Sequence, residues 1–284
     1  MAKHEKIYWH SAHHEALQLE LYKYKDALEF KKEHELSKEA LRMDTLVIKK
    51  TRDIQISKNI GKIFKNHNVV EYKSENDNFS FWDYQRVLGY TFIYSSFEKV
   101  PMSDITISIS LTIYPRELIK TLENNYGYTI QDFGNGIYYI NGADIPIQIL
   151  ESKRLSEDEN LFLRNLRSNL SSGDMAKTLQ SYNKLKPLDD KNIFLDRLVK
   201  ANPSAFVEAM TMFTEGVKDI FLEGAEKHGW LDKLYSDREI ENSKKIAKKM
   251  LILGDSLEKV AEATELPLDT VTSIANQLEK IPAV

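Results

Sequence analysis

The sequence predicts an α/β protein in which a mixed β-sheet core is flanked by helices and followed by an all-helical C-terminal region. Two observations support this prediction. Short apolar, β-branched runs alternate with amphipathic helical patterns over residues 43–150, which is typical of a layered core. Beyond Ser156 the strand patterns stop and helical spacing takes over. We therefore expect a core domain over 1–155, a separable helical region over 156–240 and a helical hairpin over 241–284.

The composition limits the class of protein. Of 284 residues, 42% are hydrophobic and 29% charged, which excludes a disordered or fibrous chain. The formal net charge of −4 provides no overall cationic field for nucleic acid. The absence of cysteine excludes disulfides, thiolate metal sites and cysteine nucleophiles. With no secretory signal pattern and no apolar run of roughly 18 residues, we expect a soluble cytoplasmic protein without a membrane partner.

The N-terminal part of the core is predicted as a helix followed by two strands. Over 11–28 the apolar residues recur at steps of four, three and four, which places them on one helical stripe with Glu20 at its border. They are Leu17, Leu21, Tyr24 and Leu28. The β-branched runs 43–48 and 69–73 predict interior strands.

The next elements have clear boundaries. Ser80, with Asp83 three residues later, indicates a capping box that opens a helix over 81–95. Its predicted inward face holds Tyr84, Val87, Leu88 and Thr91. Over 105–113 isoleucine and leucine alternate strictly with serine and threonine, which predicts a strand with one apolar and one hydroxyl-lined face. A helix over 115–122 and strands over 138–140 and 145–150 complete the core.

Three charged residues on the predicted strands are candidates for chemistry. Asp44 begins the first strand, and Glu71 and Lys73 share one face of the second because strand side chains alternate. Charges on an apolar strand are costly unless they are paired or bind a metal. Asp44, Glu71 and the Tyr72 carbonyl could together bind Mg²⁺ if the strands are neighbours. A plain Glu71–Lys73 ion pair is the structural alternative.

The order of these elements resembles the PD-(D/E)xK nuclease superfamily, whose fold is restriction-endonuclease-like. Five stretches resemble its recombination-promoting nuclease or putative transposase branch. They are residues 43–50, 59–64, 67–74, 83–90 and 145–149. The resemblance covers about residues 10–165, with Met43 where the superfamily has its proline.

The resemblance implies a metal-dependent endodeoxyribonuclease that acts with Mg²⁺ or Mn²⁺ on DNA. It implies Asp44 and Glu71 as metal ligands and Lys73 as the catalytic lysine. It also suggests Glu20 as a helix-borne catalytic acid, with Glu15 on the same helix as an alternative. Tyr84 or Gln85 is the suggested substrate-binding residue of the second helix. The alternative function is a catalytically silent DNA- or protein-binding module that uses the helical tail for interaction.

The C-terminal hairpin resembles a bacterial helix-turn-helix over 257–274, although Glu265 occupies the usual glycine position and Pro267 the usual polar cap. Few basic side chains follow, so packing or formation of a homodimer is an alternative to groove binding. The lysines at 244, 245, 248 and 249 could contact phosphates or simply form a solvated face.

The remaining candidates are aromatic rings and histidines. His10, His13 and His14 are expected to be solvent-exposed rather than metal-binding, because no third ligand is evident. Trp82 and the tyrosines are expected in the core or at its rim.

Overall fold

The computed structural model describes residues 9–31, 46–74, 77–185 and 192–279. Within these residues seven strands form one mixed sheet. The strands are β1 (Leu28–Lys31), β2 (Leu46–Lys50), β3 (His67–Lys73), β4 (Ile105–Leu111), β5 (Thr129–Asp132), β6 (Ile137–Asn141) and β7 (Ile147–Glu151). The helices of the α/β part are α1 (Trp9–Glu20), α2 (Phe81–Glu98) and α3 (Arg116–Tyr126). They are followed by α4 (Glu157–Asn165), α5 (Ser172–Leu185), α6 (Ile193–Ala201), α7 (Pro203–Met210), α8 (Glu215–Lys227), α9 (Asp232–Ile252), α10 (Leu257–Thr264) and α11 (Leu268–Glu279).

The sheet is mixed, in agreement with the expected fold class. Its order is β1-β2-β3-β4-β7-β6-β5. Strands β3, β4 and β7 run parallel at the centre, and the two flanks are antiparallel. The short outer strands β1 and β5 are absent from the sequence prediction. The predicted helix over 11–28 ends instead at Glu20, and β1 begins at Leu28.

One face of the sheet is covered by α2 and α3. The isoleucines of β4 pack there with Val69 of β3 and with Tyr84 and Val87 of α2. The predicted capping box is present: the Ser80 hydroxyl accepts the Asp83 N–H at 3.2 Å, and the Asp83 carboxylate accepts the Ser80 N–H at 2.9 Å. This box fixes the beginning of α2 beside the end of β3.

The hydroxyl-lined face of β4 is buried as well. Thr106 donates a hydrogen bond to Asn68 of β3 at 2.6 Å, and Gln148 of β7 donates to Ser108 at 2.7 Å. Helix α1 lies on this face, where the His13 ring stacks on Tyr72 with centroids 4.1 Å apart. These hydrogen bonds offset part of the free energy of burying polar groups on this face, although the buried Ser110 hydroxyl has no hydrogen-bond partner among the described residues.

Helices α4 to α7, which follow the sheet, belong to the same compact unit, which extends over Met1–Lys218. Helices α4 and α6 both contact α1. Glu15 and Glu20 of α1 accept hydrogen bonds from backbone N–H groups of Phe194 and Phe162. The unit thus continues beyond the expected core boundary at 155, because buried carboxylates connect α1 to the helices that follow.

The second compact unit is Asp219–Val284. Its described helices α9, α10 and α11 share a small core of Ala247, Val260, Leu266 and Val271. Glu265 ends α10 with a φ of 56°, so it adopts the left-handed conformation that glycine usually supplies at the end of a helix. At the beginning of α11 the Pro267 carbonyl accepts the Thr270 N–H at 2.9 Å. The hairpin therefore consists of two short helices, α10 and α11, joined by a tight turn at Glu265.

Among the described helices, none combines the length and the apolar composition needed to cross a lipid bilayer.

Candidate active site

Glu71 and Lys73 lie together at the end of β3, on the face covered by α2. They alternate with the buried Tyr72, which points to the α1 face instead. Both charged side chains are partly exposed. The Lys73 Nζ lies 3.6 Å from Oδ1 of Asp83 in the first turn of α2. The strand end therefore presents a carboxylate and an ammonium at a partly open edge.

Asp83 connects the end of β3 to the first turn of α2. Its Oδ2 accepts hydrogen bonds from the Ser80 hydroxyl at 2.6 Å and the Ser80 N–H at 2.9 Å, and its Oδ1 lies 3.1 Å from Nη1 of Arg86. Burial by itself would raise the pKa of Asp83, but the hydrogen bonds from Ser80 and the charges of Lys73 and Arg86 hold it below its ordinary value. Asp83 is therefore an ionised anchor for two cations.

A further acid lies along the same edge. The register pairs Lys73 with Leu111 and Leu111 with Glu151, so these residues end three adjacent parallel strands and share a face. Glu151 accepts a hydrogen bond from the Tyr138 hydroxyl at 3.0 Å and lies 3.8 Å from Nη1 of Arg154. Burial and the neighbouring Glu151 raise the pKa of Tyr138 to about 12. Sequence reasoning missed Glu151, although an acid that ends a buried strand is a visible signal.

Asp44, the other predicted metal ligand, lies outside the described residues. The described part of β2 begins at Leu46, which is paired with Val70. Since β2 and β3 are antiparallel, β2 begins at the end of the sheet where β3 finishes with Glu71 and Lys73. The two predicted strands are therefore neighbours, as a shared metal site would require.

Glu20 and Glu15 are buried on the α1 side of the sheet, away from the face that carries Lys73. The Glu20 carboxylate lies 2.8 Å from Nζ of Lys58 and accepts the N–H groups of Phe162 and Leu163 at 2.7 and 3.2 Å. Burial raises the pKa of Glu20, while Lys58 and the backbone donors oppose that shift. The structure thus engages Glu20 in packing α1 against α4 and Lys58.

The two substrate-binding candidates of α2 point in different directions. Tyr84 is 3% exposed and belongs to the core, where burial raises its pKa above the ordinary value. Gln85 is exposed on the outer face of the helix. Of the two, Gln85 is the residue that a substrate reaches without displacing the core.

The histidines of α1 are mostly buried, so the expectation of exposed histidines is wrong. His13 is 1% exposed and His14 is 6% exposed. Burial lowers the pKa of His13 well below its ordinary value, and the neighbouring His14 and His10 lower it further. The apolar stripe of the sequence did not reveal this, because His13 is buried by stacking on Tyr72.

Clusters of side chains that could bind a metal ion would mark a preformed metal site in the described part of the chain. No group of three or more His, Asp or Glu side chains there is arranged to hold an ion. A cleft of about 590 Å³ opens beside Glu20 and Lys58, but the Glu20 carboxylate already has its partners. The edge at Glu71 instead offers hard oxygen donors that Mg²⁺ accepts with few protein ligands and several waters.

The strand-end arrangement is suited to phosphate chemistry, because a carboxylate can hold a cation while an ammonium stabilises negative charge nearby. No protein-family profile, curated protein or solved structure matches this chain. The side chains at the end of β3 therefore carry the functional conclusion by themselves.

Proposed function

We propose that this chain is a metal-dependent endodeoxyribonuclease of the PD-(D/E)xK kind, related to the recombination-promoting or transposase-associated branch. The observation that carries the proposal is the placement of Glu71 and Lys73 on one face at the partly open end of β3. Ligands of open α/β sheets bind outside the carboxyl ends of parallel strands, which is where this pair lies.

The topology supports the same function. An N-terminal helix, an antiparallel run from β1 to β3, a helix and then a parallel strand follow one another in the chain. This order agrees with the one in the resemblance to PD-(D/E)xK nucleases. Fold alone does not establish activity, so the proposal depends on the charged residues at the edge.

Mg²⁺ or Mn²⁺ is the cofactor proposed for this edge. Glu71 would hold the ion together with Asp44, which precedes the neighbouring strand β2. Both are hard oxygen donors, and two carboxylates are a sufficient protein contribution for Mg²⁺. A bound divalent ion would supply Lewis-acid stabilisation and an activated water.

The protein residues have distinct roles in this proposal. The Lys73 ammonium lies at the edge beside the position of the scissile phosphate, where it stabilises negative charge and orients a water. Asp83 keeps that ammonium at the strand end through the 3.6 Å ion pair. The capping box keeps Asp83 fixed, because its other oxygen is hydrogen-bonded to Ser80. These residues therefore preorganise one cation for the reaction.

A plasmid-nicking assay tests the proposal. Purified protein is incubated with supercoiled DNA and Mg²⁺ or Mn²⁺, with EDTA as the metal-free control. We expect nicking that needs the metal and is abolished in Asp44→Ala and Glu71→Gln. Glu98→Gln is the matched control, because Glu98 also pairs with a lysine of the same sheet, Lys49 at 2.6 Å. Nicking that survives Glu71→Gln would contradict the metal-site assignment.

The alternative function, a silent DNA- or protein-binding module, is favoured by one observation. In the second unit α10 and α11 pack together around a turn with Glu265 in the left-handed conformation, which supports the resemblance to a helix-turn-helix. Its lysines 244, 245, 248 and 249 are exposed on α9. DNA binding without cleavage under any of the metal conditions would favour this alternative over the nuclease.

A further inference from the structure

An exposed tryptophan stands at the beginning of α2. Trp82 is 71% exposed, although a large aromatic side chain is normally among the best buried in a protein. Trp230 is 1% exposed and Trp9 is partly buried, so Trp82 is the outlier of the three. The sequence-based expectation that Trp82 lies in the core or at its rim is therefore wrong, and the exposure needs a reason.

The Trp82 ring has a firm support. It meets the ring of Phe81 edge-on, with centroids 5.8 Å apart. Phe81 packs against the core and against Tyr126, whose centroid is 5.4 Å away. The indole is thus supported by aromatic side chains while most of its surface faces solvent. This support limits the side-chain conformational entropy that the indole itself would lose when a ligand stacks on it.

A cation lies one helical turn further along. Arg86 follows Trp82 by four residues, so the two side chains are neighbours on the helix surface. Arg86 is 52% exposed, and its Nη1 lies 3.1 Å from Asp83. A guanidinium has five N–H donors, so donors remain that can reach a phosphate. The exposed Gln85 adds an amide to this helix surface, and we call Trp82, Gln85 and Arg86 together the stripe.

This stripe is close to the candidate active site. Asp83 follows Trp82 directly in the chain and pairs with both Arg86 and Lys73. The sum of these three charges is positive, since two cations face one carboxylate. An aromatic face beside a positive charge is the combination that binds single-stranded nucleic acid, because each base has a flat π surface and each nucleotide an anionic phosphate.

We propose that Trp82, Gln85 and Arg86 bind a single-stranded segment of DNA, with an unpaired base stacked on Trp82 and an adjacent phosphate on Arg86. In an intact duplex each base is already covered by its neighbours, so the indole selects an unpaired base. The inference rests on the proposed function for its substrate class, and it adds the form of that substrate: DNA that is single-stranded or frayed next to Lys73.

Binding can be measured without cleavage. The full chain is titrated in EDTA against a fluorescent oligothymidylate of about 20 nucleotides, and fluorescence anisotropy reports affinity. We expect Trp82→Ala to weaken binding by about 10-fold or more, and Trp82→Phe to weaken it less because a smaller aromatic face remains. Arg86→Gln should weaken binding and reduce the salt dependence by about one phosphate contact.

The chain provides a matched control. Phe92 is another exposed aromatic side chain of α2, at 52%, but it lies about 15 Å along the helix from Trp82. Phe92→Ala should leave the affinity for oligothymidylate unchanged. Melting temperatures of all variants verify folding, and because Trp82 is mostly exposed, we expect Trp82→Ala to remain folded.

Three results would overturn the inference. The first is an unchanged affinity of Trp82→Ala for oligothymidylate, or an equal loss in Phe92→Ala. The second is light scattering in which Trp82→Ala converts a dimer into a monomer while DNA affinity is retained, which would assign the stripe to a second copy of the chain. The third is tighter binding to a duplex or to oligouridylate than to oligothymidylate. If the wild-type chain binds oligothymidylate in a Trp82-dependent way but does not nick DNA with either metal, the result would count against the nuclease proposal alone.

Discussion

Two acid–lysine pairs lie on opposite sides of the sheet and differ in what surrounds them. On the α1 side, Glu20 is 2% exposed in its side chain and lies 2.8 Å from Lys58. On the α2 side, Asp83 is 14% exposed in its side chain and lies 3.6 Å from Lys73. The first pair is tight and enclosed, whereas the second is looser and reaches the edge of the sheet.

The two carboxylates also differ in where along the chain their other hydrogen-bond donors lie, and this explains the difference. Glu20 also accepts two backbone N–H groups of α4, from residues more than a hundred positions away in the chain. Asp83 takes its other hydrogen bonds from Ser80, three residues before it. A carboxylate that joins distant elements is a packing residue. One that is satisfied locally can leave its lysine partner available to a substrate, and this contrast suggests four tests.

The largest effect is expected from removal of the buried carboxylate. Glu20→Ala leaves buried backbone donors of α4 and the Lys58 ammonium without their acceptor, and it should lower the free energy of unfolding by about 3 kcal/mol. Glu71→Ala should lower it by less than about 1 kcal/mol, because Glu71 is only partly buried. Chemical denaturation measures both. Equal losses would remove the distinction between the two faces.

The next effect concerns the two lysines. Lys73→Ala should reduce single-turnover nicking by at least about 100-fold, or about 2.7 kcal/mol of activation free energy, because a charge at the reacting phosphate is lost. Lys73→Arg should restore little, since the planar guanidinium does not replace a compact ammonium. Lys58→Ala is the matched control and should lower stability while leaving nicking per folded molecule unchanged. A Lys73→Arg variant with normal turnover would contradict the catalytic role.

The central sheet could be predicted because its signals are local. The alternation over 105–113 and the Ser80–Asp83 capping box each depend on a few neighbouring residues, and both elements are present. The edge strands β1 and β5 could not be predicted, because they are short and carry polar residues. Edge strands receive less of their stability from apolar burial, so the hydrophobic pattern is weak there.

Only the part of the candidate site that depends on the alternation of side chains along one strand could be predicted from the sequence. The pattern places Glu71 and Lys73 on one face, and the structure has them so. The ion pair between Lys73 and Asp83 depends on how α2 packs, which no local pattern specifies. The roles of Glu15 and Glu20 depend on helices far along the chain, so no local rule separates a packing acid from a catalytic one.

A smaller effect is expected from pH at the buried histidine of the α1 face. Because the pKa of His13 is lowered in the folded chain, the unfolded chain binds more protons below about pH 6.5, and stability should fall as the pH falls from there. His13→Phe can still stack on Tyr72 but cannot take up a proton. The free energy of unfolding of the wild type should therefore drop by about 1–2 kcal/mol between pH 7 and 5 relative to this variant. Parallel curves for the two proteins would show that His13 is not the titrating group.

The smallest effect is expected at the cap that connects stability to the site. Ser80→Ala removes an N-cap and should lower the free energy of unfolding by about 1 kcal/mol. The same change removes the hydrogen bond from the Ser80 hydroxyl to Oδ2 of Asp83, so Asp83 positions the Lys73 ammonium less firmly. Nicking should therefore fall a few-fold at a temperature where the variant is fully folded. Ser256→Ala is the matched control, because Ser256 caps α10 by accepting the Lys259 N–H at 3.3 Å in the other compact unit. It should lower stability by a comparable amount and leave nicking unchanged. If both variants nick equally well, the capping box stabilises α2 without positioning Lys73, and the locally satisfied Asp83 is a packing residue like Glu20.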